Sequence, residues 1–222
     1  AVPLSYGLLI FPGFEVLDAA GPIELLNVLS VYMGHNEIQL SVIAATLDVV
    51  TPALRGPDVP GHRFAGKQHY LPTHTFDTAP ALDVLIVPGG VGTFKPAEKI
   101  GPMVEFIRNV YNGSLGNPPL QYVFSICTGS RLFAEAGILR GHKATTNKQG
   151  WKSVTKLTDK THWVAKARWV ASGNIWTTSG VTAGMDGMVA LIAQIYGDEK
   201  AEALCDMVEH SRQKDPENDP FA

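Results

Sequence analysis

The sequence predicts an α/β fold in which a mainly parallel sheet lies between helices. Three observations lead there. Short apolar runs at residues 6–11, 83–88 and 122–126 read as strands buried on both faces. Longer stretches with helical spacing separate them, giving the strand–helix–strand order of a parallel sheet. Several of the strands end on glycines or on a chemically capable side chain, at the edge where such sheets bind ligands. The 222 residues suffice for one domain with a substantial core, and 45% hydrophobic with 18% charged residues describes a globular chain.

Taken in order, the run 6–11 closes at Pro12-Gly13 and reads as the first strand. Apolar residues at 25, 26, 28 and 29 predict a packed helix over about 19–29, with Pro22 suited to its first turn. Asp18 then stands just before that helix, where its local reading is an N-cap. Residues 38–44 alternate as a second strand. The stretch 51–74, with Pro52, Gly56, Pro57, Pro60, Gly61 and Gly66, reads as short strands or a hairpin. Its histidines His62, His69 and His74 are spaced too irregularly for metal ligands.

The strand at 83–88 runs into Gly89-Gly90-Val91-Gly92, which admits a ligand or oxyanion close to the backbone and could equally be a tight turn. No phosphate-loop pattern follows, because Gly-Lys-Ser/Thr is missing. A helix is expected at 103–111 and a loop at 113–119. The strand at 122–126 stops at Cys127, and a helix follows to about residue 136 with Gly137 as its cap. Further on come a short strand at 143–146, a helix at 149–157, and strand-like runs at 163–165, 168–171 and 175–178. The last two are joined by Gly173-Asn174 as a hairpin. A long apolar helix opens from 180–186 and runs through 195. A final helix at 198–210 leads into a polar tail from about 211. No linker or repeat interrupts the chain, and residues 1–222 read as one domain.

The stretch 122–134 organises the functional reading. An apolar strand, a lone cysteine, small residues and a helix describe a strand–nucleophile–helix turn, in which backbone N–H groups of the helix face the reactive atom. The familiar Gly-x-Ser-x-Gly form is only partly met, since Gly129 is present and the nucleophile would be Cys127. The plain alternative is a small buried core residue. Asp18, Gly89-Gly90 and Cys127 all fall at carboxyl ends of predicted strands, so a carboxyl, an anion cradle and a thiol converge. Cys205, beside Leu204 and Val208, reads as core. Asp186 reads as a first-turn residue complementing its helix dipole. Trp151, Trp163, Trp169 and Trp176 read as core or dimer contacts.

The formal charge of −3 gives no electrostatic case for nucleic acid. No window approaches the roughly 20 apolar residues of a membrane helix. The chain enters a strand almost at once, so no signal peptide is expected within it, and two distant cysteines form no disulfide framework. A reducing, cytoplasmic location is expected. No cofactor and no metal is implied.

Pro88-Gly89-Gly90, Ser125-Ile126-Cys127-Thr128-Gly129, Ala136-Gly137-Ile138-Leu139-Arg140-Gly141 and Lys143-Ala144-Thr145-Thr146 resemble the ThiJ/PfpI superfamily over nearly the whole chain. Leu17-Asp18-Ala19-Ala20-Gly21-Pro22, Gly180-Val181-Thr182-Ala183-Gly184-Met185-Asp186 and the glycine and cysteine motifs are most similar to its isonitrile hydratase-like branch. The first of these also resembles ligand-sensing domains of AraC-type regulators. The resemblance implies a flavodoxin-like sandwich acting as a homodimer, with the cysteine on a strained elbow. It implies Cys127 as nucleophile, Asp18 as its acidic partner, and Gly89, Gly90 and Thr128 around an anion pocket. Many superfamily members carry histidine directly after the Thr-Thr pair; here Asn147 stands there, and asparagine is no general base. Activation of Cys127 would then fall to the helix N-terminus and local hydrogen bonds.

The resulting expectation is a cysteine-dependent hydratase that adds water to a small, uncharged isonitrile through a thioimidate on Cys127. The alternatives are a glyoxalase-like or specialised-metabolism lyase using the same cysteine, and a non-enzymatic redox sensor or ligand-binding module. The regulator form would need a DNA-binding domain, for which 222 residues leave no space beside the sandwich.

Overall fold

The computed structural model describes residues 1–53, 62–113 and 117–222. In chain order these form β1 (Ser5–Leu9), α1 (Val16–Tyr32), β2 (Gln39–Ala44), α2 (His62–Ala65), β3 (His74–Thr75), β4 (Val84–Val87), a 3-10 turn (Val91–Phe94), α3 (Ala97–Asn112), β5 (Tyr122–Ser125) and α4 (Gly129–Ala136). They continue as β6 (Lys143–Ala144), α5 (Trp151–Thr155), β7 (His162–Trp163), β8 (Trp169–Ser172), β9 (Ile175–Thr178), α6 (Ala183–Tyr196) and α7 (Asp198–Met207).

Seven strands make one sheet in the order β3-β2-β1-β4-β5-β9-β8. Every pairing in it is parallel except β8 with β9, the hairpin expected across Gly173. β4 is buried along its full length, as its unbroken apolar character predicts, and β9 is buried throughout although Thr177 and Thr178 close it. From β1 the chain steps outward through α1 to β2, whereas from β4 it steps the opposite way through α3 to β5. Right-handed crossovers then place α1 and α3 on opposite faces. α6 and α7 pack with α1, and α4 packs with α3, which gives the flavodoxin-like sandwich expected from the sequence. The reversal of direction between β1 and β4 is the topological switch point, beside which ligands bind in such sheets.

Several boundaries differ from the expectation. α1 begins at Val16, so Pro22 lies inside it and Asp18 is its third residue rather than a cap; Glu15 holds the cap position. The early start is possible because Pro22 withholds only one N–H, the one that would have bonded the Asp18 carbonyl. α3 likewise runs through Pro102 and begins six residues earlier than its apolar spacing suggested. Within the proposed hairpin of 51–74, residues 54–61 lie outside the described residues. The rest holds α2, an antiparallel bridge between Val50 and Tyr70, and β3. The stretch from 211 onward forms no helix or strand, yet Asp219 within it is buried. No helix among the described residues is long and apolar enough to cross a membrane.

Candidate active site

Cys127 follows β5 at the carboxyl edge of the sheet, in a backbone conformation that L-residues rarely adopt, with φ 56°. The conformation is fixed from both sides. Its N–H donates to the Ser179 carbonyl just beyond β9 (3.0 Å). Its carbonyl accepts the Thr146 hydroxyl (3.0 Å) and the Ser130 hydroxyl (3.3 Å). A strained residue persists only where its surroundings over-determine it, and these three bonds do so. α4 opens immediately after, at Gly129.

Strand register brings Gly89 alongside. β4 and β5 pair Val87 with Ser125, and two residues further along each strand are Gly89 and Cys127. A Cβ built on Gly89 would lie 2.5 Å from the Thr128 nitrogen and 2.8 Å from Cys127 Cβ, so only glycine fits. Gly90 has φ 119° and packs against the backbone of residues 13–15, which closes the first loop onto the second.

Asp18 is fully buried beneath these loops. Its Oδ2 accepts the Gly89 N–H at 2.9 Å, and its Oδ1 has no hydrogen-bond partner among the described residues. Burial pushes the carboxyl up to about 7; the Gly89 N–H opposes this, the Glu15 charge adds to it, and the Cys127 thiol opposes it again. Cys127 is itself 7% exposed. Burial and then the Asp18 charge push its thiol up to about 12, against the Thr128 and Val181 N–H groups and the Thr128 hydroxyl, which favour the thiolate. The helix N-terminus expected to activate the cysteine is therefore outweighed. In the resting site the proton stays on sulfur, and the carboxyl titrates near neutrality.

The glycine amides are not open. The Gly89 N–H is held by Asp18, and the Gly90 N–H by Thr128 Oγ1 at 3.0 Å. The Thr93 hydroxyl, 2.8 Å from the Gly90 carbonyl oxygen and 3.1 Å from Thr128 Oγ1, completes this buried cluster. Gly89, Gly90 and Thr128 thus lie together as expected, but here they serve one another. The N–H groups that act on the sulfur belong to Thr128 and Val181.

Val181 and Thr93 escaped the sequence reading. Val181 is a second non-glycine residue at positive φ (36°) and follows β9 at the same edge. The rule that singled out Asp18 and Cys127, a position just past a strand's carboxyl end, points to it equally. Thr93 carries no such signal beyond its place after the glycine turn. Asn147 accepts the Gly150 N–H through Oδ1 at 2.9 Å, and its Nδ2 packs on Gly180. It supports the loops near the cysteine, and no histidine among the described residues acts on the sulfur.

Asp186 stands in the first turn of α6, but its partners are side chains and backbone elsewhere. Arg168 Nε lies 2.6 Å away, His210 Nε2 2.9 Å and the Gln213 nitrogen 3.0 Å. Cys205, Trp169 and Trp176 are buried, as a core reading requires. Trp151 and Trp163 are half-buried and meet edge to face. Among the described residues no cluster of side chains is arranged to hold a metal. At the same sheet edge, an apolar cleft of about 360 Å³ opens under the loops after β1 and β4, lined by Phe11, Pro12, Val50, Phe76, Pro102 and Met103 among others.

Comparison with known proteins agrees with this architecture. The chain is 31% identical over 201 residues to the isonitrile hydratase of Pseudomonas putida, covering 90% of this chain and 76% of that protein. It is 27% identical over 212 residues to an HTH-type transcriptional regulator of Pseudomonas aeruginosa, covering 95% of this chain but spanning only 52% of the regulator. Among solved structures, a ThiJ/PfpI family protein from Pseudomonas syringae superimposes with a TM-score of 0.73 at 27% identity, over 94% of this chain and 76% of that one. The family model of the DJ-1/PfpI family matches residues 7–194, and the chain belongs to that family.

Proposed function

We propose that the protein is a cysteine-dependent hydratase that converts a small, uncharged isonitrile into its N-substituted formamide. The observation that carries the reading is the Asp18–Cys127 pair: a buried thiol beside a buried carboxyl that titrates near 7, with no histidine among the described residues acting on the sulfur. An isonitrile carbon accepts a nucleophile and a proton at the same atom, so it needs a thiol and a proton carrier rather than a strong base. Sulfur attacks that carbon as Asp18 takes the thiol proton and passes it to the carbon, forming a thioimidate. Water then adds across the carbon–nitrogen double bond, with Asp18 orienting it. The carbon–sulfur bond breaks, the thiol regains its proton, and the formamide leaves. One isonitrile and one water are consumed for each formamide. The identity to an isonitrile hydratase supports the substrate class. We propose further that the protein works as a homodimer in a reducing compartment.

The match to one half of a transcriptional regulator favours one other reading, a ligand-binding module without turnover. A redox sensor is less well supported, since a sensing cysteine needs thiolate character and here burial and Asp18 oppose it.

The test is incubation with an aryl isocyanide, wild type beside Cys127→Ala, following formamide. Turnover by the wild type that falls by roughly a thousandfold or more in the variant supports the hydratase. Stoichiometric binding without product supports the module. A Cys127→Ala protein at full rate overturns the mechanism.

A further inference from the structure

The segment 211–222 has no regular secondary structure, yet it is tied to the body of the protein along its length. The Arg168 N–H donates to the Pro216 carbonyl at 2.7 Å, and the Gln213 N–H to Asp186. Asp219 has a fully buried side chain and pairs with Lys148 Nζ at 3.2 Å, itself nearly buried. Surface ion pairs contribute little and need no explanation, whereas a buried one is costly to build and points to a task.

Two short paths run from this segment to Cys127. In one, Lys148 Nζ donates to the Ala167 carbonyl (2.8 Å), the Thr145 hydroxyl (3.1 Å) and the Thr146 carbonyl (3.4 Å). The Thr146 hydroxyl in turn holds the Cys127 carbonyl. In the other, Pro216 grips the Arg168 N–H, the Arg168 carbonyl accepts the Ser179 N–H (2.8 Å), and the Ser179 carbonyl accepts the Cys127 N–H. Both backbone groups that keep Cys127 at its positive φ are thus braced by residues that the segment holds.

We propose that segment 211–222 is a strap that holds Cys127 in its strained conformation, with Lys148 and Asp219 as positioning residues acting through Thr146 and Ser179. The proposal rests on Cys127 being the reactive group, and its task is to keep the sulfur against the Thr128 and Val181 N–H groups. Burial opposes ionisation of Asp219, but the Ser179 hydroxyl, the Phe221 N–H and Lys148 together hold its carboxyl below the usual carboxylate range; burial pulls the Lys148 ammonium down, and Asp219 opposes that. The charged group acting on the sulfur itself is Asp18.

The test reads the thiol and not the substrate, so its outcome is independent of the isonitrile assignment. Alkylation of Cys127 by iodoacetamide is followed at pH 8 in the full chain, with peptide mapping to separate Cys205; below the titration of the thiol the rate scales with its thiolate fraction. Through-space electrostatics alone would slow the reaction in Lys148→Met and speed it in Asp219→Asn. Loss of positioning removes the N–H groups from the sulfur in both. Both variants are therefore expected to react more slowly than the wild type, by about threefold or more. Lys148→Arg keeps the charge and the donors, and should return the rate to that of the wild type. Opposite changes, or no change, overturn the strap. If Asp219→Asn does not fold, Thr146→Val beside Lys148→Met decides the matter, since it removes the hydroxyl on the Cys127 carbonyl and no charge: an unchanged rate in Thr146→Val overturns it.

Discussion

The Cys127 thiol steadies the Asp18 carboxylate, and that carboxylate in turn holds the proton on the thiol. Both groups lie against Gly89 at the carboxyl edge of the sheet, one from α1 and the other from the turn after β5. Each titrates where it does first because both are out of water, and then because of the groups beside it.

Asp18→Asn separates the reactivity of the thiol from its usefulness. Asparagine keeps the shape and can still accept the Gly89 N–H, but it removes the charge that opposes ionisation of Cys127. The thiol should then alkylate faster than in wild type at pH 8. Turnover should fall by about a hundredfold to ten-thousandfold, since no group is left to carry the proton. Iodoacetamide kinetics beside formamide production measure both. A variant that is slower in both assays contradicts the assigned role.

Stability should fall as pH rises through the range in which Asp18 ionises. The carboxyl is raised from 3.8 to about 7. Between these values the native protein keeps a proton that the unfolded chain has released, so unfolding is progressively favoured from about pH 4 to about pH 7 and is unaffected by this group above that. At about 1.4 kcal/mol per pH unit the full effect is on the order of 4 kcal/mol, an upper bound for a coupled pair. Urea midpoints at pH 5 and pH 8 should differ in the wild type in that direction. The difference should shrink in Asp18→Asn, and an equal slope in both proteins would refute the raised carboxyl.

Much of this site was legible in the sequence because strands buried on both faces are apolar without interruption, and their ends are therefore conspicuous. Gly89 and Cys127 each stand just past such an end, Asp18 lies in the first turn of the helix that follows another, and the sheet order brings those ends together. What was hidden follows from tertiary contacts. Pro22 signalled a helix start, but the helix extends six residues ahead of it because packing outweighs one lost hydrogen bond. The glycine amides looked like an anion cradle, and only the structure shows that Asp18 and Thr128 already occupy them. The segment after 210 looked like a solvated polar tail. Asp219 within it is buried, and Lys148, distant in sequence, is there to meet it.

The conformation of Cys127 carries a cost that the pair Cys127→Gly and Cys127→Ala can reveal. Both variants lose the sulfur and neither should turn over substrate. Alanine retains the Cβ that makes φ 56° unfavourable, whereas glycine adopts such angles freely. In an ordinary extended or helical position alanine would be the more stable of the two. Here the glycine variant should be more stable by about 1 kcal/mol, because relief of the left-handed strain exceeds the extra chain entropy that glycine loses on folding. Urea or thermal unfolding of the two proteins, at one pH, measures the difference directly. An alanine variant as stable as the glycine variant, or more so, would mean that the residue bears no strain. The three hydrogen bonds to Ser179, Thr146 and Ser130 would then be ordinary supports rather than restraints on a conformation maintained for reactivity.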